Sequence, residues 1–222
     1  MIKKNILGIL ALCSVSLAAD AATIIANQKK AAFPDTAEVR MRTTVAMQGM
    51  PSQVIESRML TKGKEKTMTE IKSPMIGMRI VRNGERVSVT DLKTGASMPT
   101  QMAAQAGAQS LEQDLGKPQD YLAPVKEGGL WRMSSKDPAG ATLFYSEEQK
   151  RVVKILQTVQ PGVQSETNIK YCYKGCALPG TPASIDIATQ MNGQSAAKIS
   201  IEVVSAQKLA SIPDALFEAQ GK

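Results

Sequence analysis

A two-residue alternation of apolar and polar side chains recurs through this 222-residue chain and limits what it can fold into. Successive side chains of a β-strand point to opposite faces, so this period predicts strands with one buried and one solvated face. Residues 38–48 are the clearest case, because Arg40 and Arg42 stand between apolar positions. Those apolar positions are Val39, Met41, Val45 and Met47.

Ten or eleven such segments, separated by turns that contain Gly or Pro, predict one curved antiparallel sheet in a mainly β (α+β) domain. Asn83-Gly84 and Asn192-Gly193 are two-residue sequences typical of hairpin turns. The predicted strands are 38–48, 53–61, 66–72, 78–82, 85–90, 130–135, 142–146, 151–159, 164–173, 184–191 and 198–205.

The strand pattern is interrupted at residues 101–115. This segment is rich in Ala and Gln and carries apolar residues at roughly helical spacing. Pro99 precedes this segment and Gly116 follows it, which is the asymmetry expected of a helix. We therefore expect one or two short helices here, placed on one face of the sheet.

The first residues have the three parts of a secretory signal peptide. Lys3 and Lys4 supply the positive start, and residues 6–19 form an apolar run too short to span a bilayer. An A-x-A cleavage pattern ends the segment, so we expect residues 1–21 to be removed with cleavage near Ala19–Ala21. Residues 22–222 are then expected to form a single exported domain.

Charge and composition argue against several classes of function. The formal net charge is +7, but Lys and Arg are dispersed and aromatic residues make up only 4% of the chain, so no nucleic-acid groove is expected. The chain has no histidine, the usual general base and the commonest metal ligand. We expect no catalytic site, no metal site and no cofactor. Weak attraction to an anionic membrane surface is compatible with the charge.

Two of the three cysteines lie close together, at Cys172 and Cys176. An exported location permits a disulfide between them, and a clip on a loop is the simplest reading of this spacing. A redox or copper role is the alternative, although both usually use other spacings or a histidine. The third, Cys13, follows Leu12 inside the apolar run, which leaves lipid attachment open but disfavoured.

Methionine occupies many of the apolar strand positions, where stiff β-branched residues are the usual choice. Its flexible thioether adapts to irregular partners, which indicates a surface that packs against something variable. Ordinary core packing is the alternative for any single methionine. Cu(I) binding is a further one, because Met47 with Met50 and Met75 with Met78 have Met-x-x-Met spacing.

Three stretches resemble the periplasmic lipoprotein carriers of the LolA/LolB-like lipoprotein-sorting family. Residues 59–74 are similar to a family strand with a lysine-rich turn, and residues 80–95 resemble the hairpin that follows it. Residues 199–217 are similar to the family's closing strand and its Leu-Phe tail. The resemblance implies a half-open β-barrel closed by a small helical lid, with an apolar cavity that holds acyl chains.

On that resemblance we expect a non-catalytic, monomeric periplasmic protein that binds lipid or lipoprotein acyl chains. Transfer to the outer membrane and contact with inner- or outer-membrane lipoprotein transport components are implied as well. An envelope sensor or protein-interaction module on the same fold is the alternative. The predicted cavity residues are Met41, Met47, Met59, Met68, Ile80, Val87 and Val89 on the sheet, Met102 and Leu111 on the lid, and Trp131, Met133 and Tyr145 on the far side.

Overall fold

The computed structural model describes residues 20–29, 33–63, 65–97 and 115–218. Within these residues it has one α-helix, α1 (Ala21–Lys29), and two short 3₁₀ turns at Pro118–Asp120 and Asp214–Phe217. Its strands are β1 (Thr36–Met47), β2 (Gln53–Lys62), β3 (Lys66–Lys72), β4 (Gly77–Asn83), β5 (Arg86–Asp91), β6 (Val125–Glu127), β7 (Leu130–Ser134), β8 (Thr142–Ser146), β9 (Arg151–Gln160), β10 (Val163–Cys172), β11 (Thr181–Met191) and β12 (Gln194–Lys208).

All twelve strands of the described residues belong to one antiparallel sheet, in the order β5-β4-β3-β2-β1-β12-β11-β10-β9-β8-β7-β6. Strands β1–β5 form one meander and β6–β12 another, and the pairing of β1 with β12 joins them. Because β5 and β6 lie at opposite edges, the sheet does not close. The predicted fold class, a curved antiparallel sheet forming a half-open barrel with a small helix, is confirmed.

The predicted strands agree with the structure to within a few residues, with two differences. Strand β6 was not predicted, because three exposed residues are too few to show an alternation. In the β4–β5 hairpin, Asn83 pairs with Arg86, so the two-residue loop is Gly84-Glu85 and not Asn83-Gly84. The loop glycine has a positive φ of 62°, which an L side chain rarely adopts.

The β11–β12 hairpin follows the prediction. Met191 pairs with Gln194, which leaves Asn192 and Gly193 as the two loop residues. Their φ angles are 51° and 77°, the positive pair that a type I′ turn requires. Asn and Gly tolerate this conformation, so this short sequence sets the register of two long strands.

Helix α1 packs on one face of the sheet, which we call the inner face. Ile24 and Ile25 are buried in a cluster with residues of β7, β8 and β9. Polar contacts fix the helix in place, because the Gln28 Oε1 atom accepts a hydrogen bond from the Val152 amide at 3.0 Å and its Nε2 donates to the Tyr171 hydroxyl at 3.0 Å. Burial raises the pKa of Tyr171, whose hydroxyl donates to the Val152 carbonyl at 2.9 Å.

The opposite, outer face carries a smaller core beneath the C-terminal tail. Ile212 and Phe217 of the tail pack on Leu60, Met68 and Val81 of β2, β3 and β4. This packing corrects one predicted cavity residue, because Met68 pairs with Leu60 and both side chains lie on the outer face.

Ion pairs fasten the same tail at its 3₁₀ turn. The ammonium groups of Lys62 and Lys66 lie 3.1 and 2.7 Å from the carboxylate oxygens of Asp214. The hydrogen bond from Lys66, followed by that from Lys62, holds the pKa of Asp214 below its usual value. Lys62 also donates to the Ile212 carbonyl at 2.8 Å, so apolar burial and charge pairing position the tail together.

Glu38 is a buried carboxylate on the outer face of β1. The Nε atoms of Arg58 and Arg40 each donate to its Oε1 atom at 2.9 Å. The hydrogen bond from Arg58 is the largest cause holding the pKa of Glu38 below its ordinary value of 4.5. On the same face Arg79 donates to Glu70 at 2.7 Å, so charged pairs cross β1 to β4.

Two sequence expectations fall largely outside the described residues. The predicted signal peptide covers residues 1–21, of which only Asp20 and Ala21 are described, and the predicted helices at 101–115 are described only at Leu115. In the part of the chain that the structure describes, no helix has the length and apolar character needed to cross a membrane.

Shortening the side chain of Phe217, which packs the C-terminal tail onto the sheet, should destabilise the protein. Phe217 is 1% exposed, and replacing a buried Phe with Ala costs about 3–5 kcal/mol through lost burial and an unfilled cavity. We expect Phe217→Ala to lower the free energy of unfolding by about that amount in urea denaturation. The neighbouring Leu216, which is 37% exposed, supplies the control, and equal losses for Phe217→Ala and Leu216→Ala would contradict the packing described.

Stability should also depend on the ionisation of Glu38. Its pKa is depressed in the folded state, so its contribution is present above about pH 4.5 and is lost as the pH falls through the lower folded-state pKa. We expect the free energy of unfolding to decrease more steeply below pH 4.5 in the wild type than in Glu38→Gln. Glu56→Gln, at an exposed carboxylate, should retain the wild-type slope. Identical slopes for the wild type and Glu38→Gln would rule out this role.

Candidate functional site

An uncharged and mostly apolar row of side chains crosses eight neighbouring strands of the inner face. Directly paired residues of adjacent strands point to the same face, so the register defines the row. From β7 to β2 it consists of Met133, Leu143, Ile155, Thr167, Ile187, Ile199, Val45 and Gln53. It contains no charged side chain, and the helix α1 covers its β7–β9 end.

Two further rows extend the same surface. One consists of Ile169, Ile185, Ile201, Thr43 and Ile55 of strands β10, β11, β12, β1 and β2. The other consists of Val39, Met59, Thr69, Ile80 and Val89 of strands β1 to β5. These rows also lack charged residues. Their polar members are threonines, which present a methyl group beside the hydroxyl.

Burial is uneven across the inner face. Met133 and Leu143 are fully buried near α1, whereas Ile187 and Ile199 in the middle of the sheet are only partly buried. Burial also falls along β1, from the fully buried Val39 to Met47, which is 41% exposed. The apolar surface is therefore closed near α1 and most open at the β1–β2 turn.

A shallow, open depression of about 620 Å³ lies at this end of the sheet. It is lined by residues 46–48 of the β1 end and residues 194–198 at the start of β12. Met47 and Ala197, which pair across the two strands, place apolar side chains there. This position makes the end of β1 an accessible part of the candidate site.

The structure brings most of the predicted cavity residues onto the inner face. Met41 and Met47 lie there on β1, Met59 on β2, Ile80 on β4, and Val87 and Val89 on β5. Trp131, Met133 and Tyr145 lie on the same face, in the cluster covered by α1. Met68 is on the outer face, and Met102 and Leu111 lie outside the described residues.

The emphasis on methionine missed the isoleucines at the centre of this surface. Ile185, Ile187, Ile199 and Ile201 contribute to the rows above but were not among the predicted site residues. Their signal was available in the sequence, because residues 185–187 and 199–201 show the same alternation as β1. What the sequence did not reveal was the pairing of β12 with β1, which places these isoleucines beside the methionines.

The predicted disulfide between Cys172 and Cys176 is present, and it closes the loop that follows β10. It lies outside the apolar rows. Met47 and Met50 lie at the β1–β2 turn, and Met75 and Met78 at the β3–β4 turn. Among the described residues no group of three His, Cys, Asp or Glu side chains could hold a metal ion. Methionine is not among these residue types, so the Cu(I) alternative stays a prediction that depends on the methionine spacing.

Charge distinguishes the outer face from the three rows of the inner face. The outer face presents ion pairs such as Lys154 with Glu166 at 3.0 Å, whereas the inner-face rows present none. Transferring an ion to an apolar surface is costly unless it is paired. These rows are therefore chemically suited to an apolar ligand and unsuited to direct contact with a charged group.

Solved structures of other proteins share this architecture. A LolA superfamily protein from Nitrosomonas europaea matches with a TM-score of 0.60 and 15% identity, over 90% of this chain and 97% of the other. A candidate outer membrane lipoprotein-sorting protein domain from Vibrio parahaemolyticus matches with a TM-score of 0.59 and 7% identity, over 88% and 94% of the two chains.

A DUF1329 family protein from Desulfovibrio piger matches with a TM-score of 0.60 and 8% identity, over 90% of this chain and 95% of the other. No protein-family model matches the sequence, and no curated protein matches it. At identities this low, the similarity defines the fold alone.

Proposed function

We propose that this chain, which has a LolA-like fold, is a non-catalytic periplasmic protein that holds lipid or lipoprotein acyl chains on its inner face. The observation that carries the proposal is the continuous apolar surface of the three rows, which extends from the helix-covered core to the open β1–β2 end.

The physical properties of an acyl chain match this surface. Burying a methylene group contributes about 0.8 kcal/mol, so even a few contacts give useful affinity without a hydrogen bond. Methionine side chains at Met41, Met47 and Met59 can adapt to a mobile chain, while the isoleucines beside them on the same face add stiffer, branched apolar surface. A charged headgroup would remain outside the rows, because no side chain within them can neutralise it.

The names of the similar structures are consistent with this role. One is a LolA superfamily protein and another is described in terms of outer membrane lipoprotein sorting. By analogy with them, we propose transfer of the acylated cargo toward the outer membrane, with membrane lipoprotein transport components as partners and a monomer as the working form. The fold itself carries none of these finer assignments.

Export is part of the same proposal. Residues 1–21 would act as the signal peptide, with cleavage near Ala19–Ala21, and residues 22–222 would fold as one domain in the periplasm. The disulfide between Cys172 and Cys176 agrees with an oxidising compartment. Intact mass of the protein recovered from a periplasmic fraction tests both the cleavage and the disulfide.

The direct test of function is lipid binding by the purified mature protein. An environment-sensitive acyl-chain probe should gain fluorescence on addition of the protein, and native mass spectrometry should show co-purified lipid. A protein that neither binds the probe nor carries lipid would exclude the carrier function. Recovery of a stoichiometric protein partner from envelope extract, with no lipid bound, would instead favour the sensor or interaction module.

A matched pair of lysine substitutions tests the location of the site. Ile187 lies on the inner face, and the next residue, Ala188, is exposed on the outer face between Glu166 and Lys198. We expect Ile187→Lys to weaken binding of the acyl-chain probe by about tenfold or more, because an ammonium group would enter an apolar surface. Ala188→Lys should leave the affinity unchanged. Equal affinities in fluorescence titration would place the ligand elsewhere.

A further inference from the structure

Four hairpin turns lie at one end of the sheet, and we call this end the apolar rim. They are residues 48–52, 73–76, 161–162 and 192–193, which connect β1–β2, β3–β4, β9–β10 and β11–β12. The strands concerned are consecutive in the sheet, in the order β4-β3-β2-β1-β12-β11-β10-β9, so the turns follow one another along an arc. This end also contains the most exposed part of the inner face, at Met47.

Exposed large apolar side chains concentrate at the apolar rim. Such side chains are ordinarily scattered over a protein surface, and a concentration of them marks an interaction site. Here each of the four turns carries at least one, within the turn or at the strand end beside it. They include Met47, Met50, Met75, Ile76, Val159 and Met191.

The distribution of charge reinforces this asymmetry. Residues 43–55, 155–165 and 187–197, which form three of the four hairpin ends, contain no Asp, Glu, Lys or Arg. The turns at the other end of the sheet are charged, as at residues 62–66 and 147–151. These three hairpin ends of the apolar rim are therefore uncharged, whereas the two turns at the other end of the sheet are charged.

Cations stand immediately behind the apolar rim. Lys72 and Lys198 are exposed on strands that end or begin there, and Lys93 donates from its ammonium group to the Met75 carbonyl at 3.3 Å. The nearby carboxylate of Asp91 accepts hydrogen bonds from the amides of Lys93 and Thr94, so it is engaged within its own turn. Apolar tips with cations set behind them match the layered chemistry of an anionic bilayer surface.

We propose that the apolar rim docks on the surface of a lipid bilayer that contains anionic headgroups. Met, Ile and Val side chains of the turns would enter the headgroup–acyl boundary, while the lysines remain at the level of the phosphates. The uncharged hairpin ends favour this occupant over a protein partner, because protein interfaces normally have a polar rim that pairs with charged groups. This inference goes beyond the proposed function, since docking needs no bound cargo.

Vesicle flotation of the purified, delipidated mature protein tests the proposal. The probe is a vesicle of equal parts phosphatidylcholine and phosphatidylglycerol, with phosphatidylcholine alone as the uncharged comparison. We expect the protein to float with the anionic vesicles, and to do so less as salt is added, because the lysines attract them electrostatically.

Two exposed valines give a matched pair of variants. Val159, at the β9–β10 hairpin end, is 60% exposed, and Val204, in the middle of β12, is 53% exposed. Both Val159→Glu and Val204→Glu change the net charge equally, so only position differs. Val159→Glu should reduce partitioning onto anionic vesicles by about tenfold, since a carboxylate cannot enter the headgroup–acyl boundary cheaply, whereas Val204→Glu should bind as the wild type does. Met50→Glu is a second rim variant, and thermal unfolding checks that each variant is folded.

Three results would overturn the proposal. The first is that the wild-type protein does not float with anionic vesicles. The second is that Val159→Glu and Val204→Glu reduce partitioning onto these vesicles equally, and the third is that sedimentation shows the rim substitution dissociating a dimer. A separate measurement of acyl-probe binding, made without vesicles, distinguishes failure of this inference from failure of the proposed function. Vesicle binding without probe binding would reject the carrier function and leave docking intact, and the reverse result would reject docking alone.

Discussion

Every interaction in this sheet depends on the two-residue period of its strands, combined with one register. Pairing places Val39 and Met59 on the inner face, and in the same strands it places Glu38 and Leu60 on the outer face. A shift of one residue would move charges inward and isoleucines outward. The turns keep this register, as the Asn192-Gly193 loop does for β11 and β12. Helix, tail, ion pairs and candidate site all follow from that alignment.

The two faces of the sheet differ in how their buried groups are covered. The outer face satisfies its buried carboxylate with arginines and covers its small apolar patch with the tail, so it is internally complete. Among the described residues of the inner face, those beneath α1 are buried, whereas Ile187, Ile199 and Val45 in the middle of the sheet are only partly buried. Leaving apolar area in contact with water gives up stabilisation at about 25 cal/mol per Å². Such a surface is expected where a ligand, and not the protein itself, supplies the final contacts.

Local sequence patterns predicted the strands, the hairpins and the disulfide well, because each depends on neighbouring residues. Met68 shows where this reasoning fails. The β2–β3 turn pairs Lys62 with Lys66, and counting from that pair aligns Met68 with Leu60 and not with Met59. The alternation of β3 alone leaves its facing open, since both faces of this strand carry apolar residues and the C-terminal tail buries one of them. Contacts between distant segments decided the outcome.

The same limitation applies to the central isoleucines. The isoleucines of β11 and β12 are readable as strand residues, but their membership of the candidate site depends on a pairing between the first and last strands. Nothing in the local pattern of β1 or β12 specifies that partner. The sequence alone therefore led to a site centred on methionines, whereas the structure adds a central group of isoleucines.

That pairing also imposes an order on folding. Ala37 is opposite Lys208, so nearly the whole chain must emerge before the two meanders can join. Contacts of such large sequence separation form slowly, since the entropy of closing the intervening loop is lost before they stabilise the fold. Until β12 arrives, β1 has an unpaired edge and the apolar rows have no continuous sheet behind them. Until β12 is in place, the unpaired edge of β1 can pair with a strand of another chain, which is how edge strands lead to aggregation.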